Sequence, residues 1–328
     1  MDHDKKLSEL GEDYIVDRIL EWIEGYYPRD SKIPLGDDAY DIPASNLIMS
    51  IDGYSLRYSK YEWENWSDWG WRAVTSAVSD LICKGARPYG VSISLGLNSG
   101  YSFRVIRDLY SGILEAVKHY GIYLLGGDTN ASVEEGWITV SAIGIKGDKV
   151  LTRFGASVGD YIYTTLENGY GLSGLIWNLY KKYGVSPRES IGIDLRLRPR
   201  SPLRFVELIP EIQISSSIDV SDGLAKSLYI LAERNGVSIN IDRIPDPNPF
   251  VRDIAPKEGI DIDKCVLYGG EDYEVIFTSP INPETVLEVS SSIGLKVIYI
   301  GRVIEGSGDV FYRGKLIEYG GWDQFKSI

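Results

Sequence analysis

Several acidic residues in this chain stand beside glycine or close an apolar run. They are Asp37 and Asp38 in LGDDA, Asp52 in SIDG, Asp80 in VSDL, Asp128 in LGGDT, Asp219 and Asp222 in IDVSDG, and Glu271 and Asp272 in YGGEDYE. One Asp-Gly pair is an ordinary turn signal. Repetition of the setting points further, because strand-end carboxylates can converge and glycine lets a ligand approach the backbone. Convergent carboxylates without His or Cys suit hard cations, Mg²⁺ above all, shared with substrate phosphates. The chemistry indicated is nucleotide-dependent phosphoryl transfer. Histidine sharpens this: with only His3 and His119, a His-rich metal site or two-histidine centre is excluded. Cys83 and Cys265 stand far apart and form no zinc or disulfide pattern, as in a reducing cytoplasm. No Walker A pattern and no protein-kinase motif set occurs.

Other residues leave more than one reading open. Gly169, Gly171 and Gly174 form a literal G-x-G-x-x-G between a strand-like and a helix-like segment, with Glu189 about where a ribose-binding acid would fall. A nicotinamide or flavin site competes there with a helix cap and tight packing. Arg153 suits pairing with phosphate oxygens or a surface loop. Arg198 and Arg200 suit phosphate contact or a solvated loop. Trp63, Trp66, Trp69 and Trp71 could stack on a cationic heterocycle, pack in the core or form an oligomer interface. His119 reads as structural at a helix end.

The elements that position these residues follow from periodicity. Leu7 to Tyr27 reads as an amphipathic helix and residues 46–51 as a strand ending at Asp52. Trp71 to Lys84 and Phe103 to Tyr120 read as helices, Tyr89 to Leu97 and Trp137 to Lys146 as strands, and Ile122 to Leu125 as a short strand closing on GGDT. A domain boundary is expected near Gly147-Asp148. Beyond it come a strand at 161–165, helices at 172–183 and 224–235, a strand into Asp219, another at 238–242, and strands near Val275, Val297 and Val310. The irregular alternation predicts an α+β or mixed α/β chain. Its 328 residues suffice for about two domains. The net charge of −13 argues against nucleic acid as partner. No apolar run reaches the length needed to span a bilayer, and the polar start is not expected to be a signal peptide.

Taken in order, GDDA, SxD, SDLxxxGAxP, LGGDT, GDYIY, LRPR, IDVSDGL, GGEDYE and the late GWDxF resemble the thiamine-monophosphate kinase family, from Gly36 to Phe325. That family lies in a superfamily with aminoimidazole ribonucleotide synthetase, selenophosphate synthetase and a hydrogenase maturation protein. The resemblance implies a two-domain α+β fold of the aminoimidazole ribonucleotide synthetase type. An ATP/Mg-binding, dimerising domain would span residues 1–148, its sheet closing a β-barrel with a second copy. A C-terminal α/β sandwich, 149–328, would complete the ATP and substrate site. It further implies magnesium at Asp38, Ser50, Asp52, Asp80, Asp128, Asp219 and Asp222. ATP falls on Tyr110, Gly127, Asp128, Arg153 and Ser221, and substrate on Ser59, Glu271 and Trp322.

The implied reaction moves the γ-phosphoryl of ATP onto the phosphate of thiamine monophosphate in a cytoplasmic homodimer. It needs no general base, because the attacking phosphate is already largely ionised. The chain departs from the family on the acceptor side. Ser59 replaces a histidine, Ile51 a hydroxyl residue and Gln324 a histidine, and the turn TLENGYG is stretched. The other branches fit less well, since there is no reactive Cys near the start and the chain closes on Lys326-Ser327-Ile328 rather than cysteine. Two further readings are another ATP-dependent synthetase of the superfamily and a catalytically silent nucleotide-binding regulator.

Overall fold

The computed structural model describes residues 5–133 and 135–325; His3 and the last three residues fall outside them. In the first half, α1 (Leu7–Leu10) and α2 (Glu12–Ile23) precede β1 (Tyr40–Asp41), β2 (Leu47–Ser55) and α3 (Leu56–Ser59). Then come α4 (Trp66–Cys83), β3 (Ala86–Asn98), α5 (Phe103–Tyr120), β4 (Tyr123–Ser132) and β5 (Trp137–Lys146). The strands form one sheet in the order β1-β2-β5-β3-β4, in which β3 and β4 run parallel and the other pairs antiparallel.

Glycine lets α4 and α5 touch through their backbones. A Cβ at Gly112 would lie 1.7 Å from the Ser67 carbonyl oxygen, and one at Gly70 2.4 Å from that of Leu109. α5 buries Leu109, Ile113, Ala116 and Tyr120, a helical stripe, and ends at Gly121 with φ 64°. α4 is buried almost throughout, so it is the central pillar of this half.

Several expectations change here: the strand expected to end at Asp52 runs on as β2 to Ser55, and the helix expected from Trp71 begins at Trp66. The first helix is broken at Gly11, whose φ of 84° stops α1 before α2 begins. The strand expected to close at Leu125 runs on as β4 through Gly126, Gly127 and Asp128. Parallel pairing with β3 continues past the glycines, with a register shift at Val91/Ser92.

The second half contains β6 (Tyr161–Thr165), α6 (Leu172–Tyr183), α7 (Pro187–Ile191), α8 (Phe205–Leu208), β7 (Ser216–Asp219), α9 (Leu224–Asn235) and β8 (Ser238–Ile241). It continues with α10 (Pro249–Ile254), α11 (Ile262–Tyr268), β9 (Val275–Ser279), α12 (Pro283–Ser292), β10 (Val297–Ile304), β11 (Val310–Tyr312) and β12 (Lys315–Leu316). Its sheet has the order β12-β11-β8-β10-β6-β9-β7. Side chains alternate between two cores. Ile162 and Ile276 face a cluster with Leu224, Leu228 and Leu231 of α9, while Tyr163 and Phe277 face Phe205 and Val286. That second cluster runs without interruption into Leu81, Ile82 and the core of the first sheet. α4 is therefore held against both sheets. Together the elements make a mixed α+β chain with two sheets.

Candidate active site

A cavity of about 730 Å³ opens between the two sheets. Its walls carry Asp38, Asp52, Asp80, Asp219, Asp222, Ser221, Arg153, Ser59, Glu271 and Trp322 among others. Carboxylate oxygens of Asp38, Asp80 and Asp219 lie within 4.8 Å of one another. Each arrives on a different element: Asp38 from the loop before β1, Asp80 from α4 and Asp219 from the end of β7. Asp80 is 9% exposed and Asp219 3%.

Such crowding carries an electrostatic cost. Burial, then the charges of Asp52, Asp219 and Asp38, push Asp80 well above the usual carboxylate range. Burial first, with Asp38 and Asp52 adding repulsion, raises Asp219 to about 8, although the Ser79 hydroxyl donates to it at 2.5 Å. Asp52, on β2, is raised to about 6, chiefly by burial. Asp38 goes the other way. Burial would raise it, but Arg153 and Lys84 outweigh burial and hold it at about 2. An all-oxygen cluster in which Asp80 and Asp219 are crowded and desolvated fits a hard divalent cation.

Two cations are built into the same wall. Lys84, the residue after α4, is wholly buried; its ammonium lies 2.7 Å from Asp37 and 2.5 Å from Asp38, and donates to the Ser217 carbonyl at 2.9 Å. Arg153 pairs with Asp38, and its backbone N–H donates to Asp37 at 3.0 Å. The buried Arg153 Nε makes no hydrogen bond and lies 3.8 Å from an Asp37 carboxylate oxygen.

The IDVSDG and GGEDYE segments, far apart in sequence, are laced together by backbone. Glu271 N–H donates to Ser221 O at 2.6 Å, Tyr273 N–H to Val220 O at 2.8 Å and Val220 N–H to Glu274 O at 2.9 Å. Gly270 sits at φ 67°, and a Cβ there would lie 2.8 Å from the Ser221 carbonyl. Glu271 (φ 57°) and Tyr273 (φ 51°) occupy the left-handed region, strain concentrated at the cavity wall. Trp322 is tied in by its N–H to the Asp222 carbonyl at 2.9 Å, and its own carbonyl accepts from Lys226 at 3.0 Å. Lys226 also pairs with the Asp222 carboxylate at 2.8 Å.

Arg72 went unnoticed in the sequence. It is 2% exposed, and its guanidinium pairs with Glu64 and Glu271, each at 2.9 Å. The signal was present: a charged residue interrupts WGWRAVTSAV, a run that otherwise reads as buried. Lys84 in LICKGA is the same kind of signal. Tyr54 and Tyr273, which share a hydrogen bond beside Glu271, were also missed.

Other candidates are placed elsewhere. Gly127 and Asp128 lie on β4, outside the cavity, and Asp128 accepts from Asn130 at 2.7 Å. Tyr110 is on α5, also outside it. Ser50 is fully buried, with its hydroxyl donating to Ala77 O at 2.6 Å. Ser59 lines the cavity, but its hydroxyl donates to Ser55 O at 2.7 Å and accepts from the Trp69 indole at 2.9 Å. Arg198 pairs with buried Asp68 and with Glu115 rather than facing the cavity. His119 packs on the Trp71 ring at 5.3 Å.

The G-x-G-x-x-G segment is explained by packing. A Cβ at Gly171 would lie 2.8 Å from the Cys265 carbonyl carbon, and one at Gly174 2.8 Å from the Cys265 oxygen, so α11 fills the space a dinucleotide would need. Glu189 closes a capping box with Ser186 at the start of α7.

Comparison with known proteins decides the kinship. Residues 36–146 match the family model for the AIR synthase related protein, N-terminal domain. The thiamine-monophosphate kinase of Aquifex aeolicus is 31% identical over 98% of this chain and 100% of its own length. The chain belongs to the thiamine-monophosphate kinase family. A solved structure of AaThiL complexed with AMPPCP and TMP is 29% identical, covers 98% of this chain and 99% of that one, and superposes with a TM-score of 0.81. The hydrogenase maturation protein HypE, 20% identical with a TM-score of 0.69 over 98% of both chains, shares the fold.

Proposed function

We propose that this chain transfers the γ-phosphoryl group of ATP to the phosphate of thiamine monophosphate, giving thiamine diphosphate and ADP. One observation carries the reading. The Asp38, Asp80 and Asp219 carboxylates, with Arg153 among them, share a single cavity with Glu271 and Trp322. Family membership and the ligands of the related AaThiL structure support it.

Asp38, Asp52, Asp80, Asp219 and Asp222 would hold Mg²⁺, which when bound neutralises the approaching phosphates and aligns them. Arg153, which lines the cavity, would pair with an ATP oxygen. Glu271, fixed by Arg72, and Trp322, fixed by Asp222, face the acceptor. No side chain has to remove a proton, because the acceptor phosphate has a second pKa of about 6 and arrives ionised.

Tyr110, Gly127 and Asp128 enter this reading through a second copy of the chain. β4 is an edge strand with most residues exposed, and Ile51, Tyr89, Tyr123 and Leu125 of this sheet are at least 45% exposed. A homodimer that covers this face would bring Asp128 to a partner's cavity. The N-terminal half to residue 148 then supplies metal and ATP ligands, and 149–328 completes both subsites. Two buried, unpaired cysteines suit a reducing cytoplasm.

The test is purified protein with ATP, Mg²⁺ and thiamine monophosphate. Thiamine diphosphate and ADP in equal amounts are expected. ADP without the diphosphate overturns the acceptor.

A further inference from the structure

Of the four tryptophans between 63 and 71, three have structural work. Trp69 is fully buried and donates to Ser59. Trp71 is buried and donates to the Pro199 carbonyl at 2.6 Å. Trp66 packs edge-on against Trp69 and Tyr101. Trp63 also packs against the local core beneath α6, but unlike the other three it lines the cavity. Its ring stacks on Tyr61 at 4.9 Å and 18°, and meets Tyr180 at 4.8 Å.

α6 supplies the rest in a regular pattern. Leu175, Ile176 and Leu179 are buried in a local core. Ser173, Trp177 and Tyr180, spaced i, i+4 and i+7, line the cavity instead. Trp177 keeps 38% of its surface exposed. Packing does not require an indole at so open a position, and neither metal binding nor phosphate binding uses one. The same cavity carries Glu62 and Glu271. The Lys60 ammonium is turned to the Trp66 ring, 4.8 Å from its centre, and Lys181 lies 5.6 Å from the centre of the Trp177 ring, a cation that a ligand at this wall would replace.

We propose that Tyr61, Trp63, Trp177 and Tyr180 form the seat for a planar, positively charged heteroaromatic group on the phosphate acceptor. Under the function proposed above, on which the identity of that group rests, it is the thiamine ring system. Aromatic faces attract a delocalised cation and exclude water from it. Trp63 is the main anchor and Trp177 the outer wall. These are specificity residues, and they take no part in the phosphoryl step.

The test separates ring recognition from catalysis. Trp63→Ala is expected to raise KM for thiamine monophosphate about tenfold, with kcat and KM for ATP little changed. Trp63→Phe should restore most of the loss, and Trp177→Ala should raise the same KM about threefold. An unchanged KM in folded Trp63→Ala overturns the inference. If that variant does not fold, Trp177→Ala decides in the same way. Binding of thiamine itself, followed by quenching of intrinsic fluorescence, gives a readout without turnover. A wild type that binds thiamine but makes no diphosphate overturns the kinase reading and leaves the seat standing. A wild type that makes the diphosphate while Trp63→Ala binds thiamine normally overturns the seat alone.

Discussion

Asp80 and Asp128 look alike in sequence, each an acid in a short motif of small residues, yet the fold treats them oppositely. Asp80 rides on α4 into the space between the sheets, where Asp38 and Asp219 meet it. Asp128 stays on β4, at the rim of the first sheet, where Asn130 donates to its carboxylate. The first site is assembled within one chain from three elements. The second has one wall and an open face. Carboxylates become a metal site when separate elements bring them together out of water. An exposed edge can reach the same chemistry only if another surface closes on it.

The strongest way to break this contrast is at the buried cluster. Asp80→Asn is expected to lower kcat on the order of a thousandfold, because one proposed metal ligand is lost. The same change should raise the thermal midpoint of the metal-free protein, since a crowded buried charge is removed. A variant with normal Mg²⁺-dependent activity would falsify the metal assignment.

At the open edge, Asp128→Asn should cost about a hundredfold in activity if a second copy brings that residue to the cavity. Asp222→Asn should likewise be inactive alone. Mixing the two inactive variants under conditions that exchange subunits should recover about a quarter of wild-type activity, because half the dimers then carry one intact site. No recovery would place Asp128 outside any shared site.

The contrast also has a pH signature. Asp52 and Asp219 titrate near 6 and 8 in the folded chain, against an ordinary value of 3.8. Between those values the folded state holds protons that the unfolded state has released. Stability of the chelated protein should therefore fall as pH rises from about 5 to 8. Saturating Mg²⁺ should flatten the curve, and melting curves with and without chelator measure the difference. A curve that rises over that window in the chelated protein contradicts the electrostatic account.

The smallest effect lies away from both regions. Glu189→Ala removes half of the capping box at α7 and should lower the thermal midpoint slightly. KM for ATP should not move; a rise would revive the ribose reading of that acid.

Much of this was legible along the chain. α5, β5, β6, α6 and α9 fall where the periodicity and end signals put them, because each is amphipathic or continuously apolar and is bounded by turn residues. The carboxylates that now share a cavity were visible as motif residues. Lys84 and Arg72 were not read as functional, since a lone cation in an apolar run announces burial but not its partners. Those partners, Asp37 and Glu271, come from distant segments. Ser59 and Ser50 were assigned to ligands by motif position, yet their hydroxyls bond within the chain.

The sequence by itself determined the family, the main elements and an oxygen-only set of acids with almost no histidine. These are local or ordered features, carried by spacing along one dimension. Only the tertiary structure decided which acids meet, which tryptophans are core and which glycines merely let backbones touch. Those outcomes depend on distances between segments that lie apart along the chain, and packing of α4 against both sheets sets many of them.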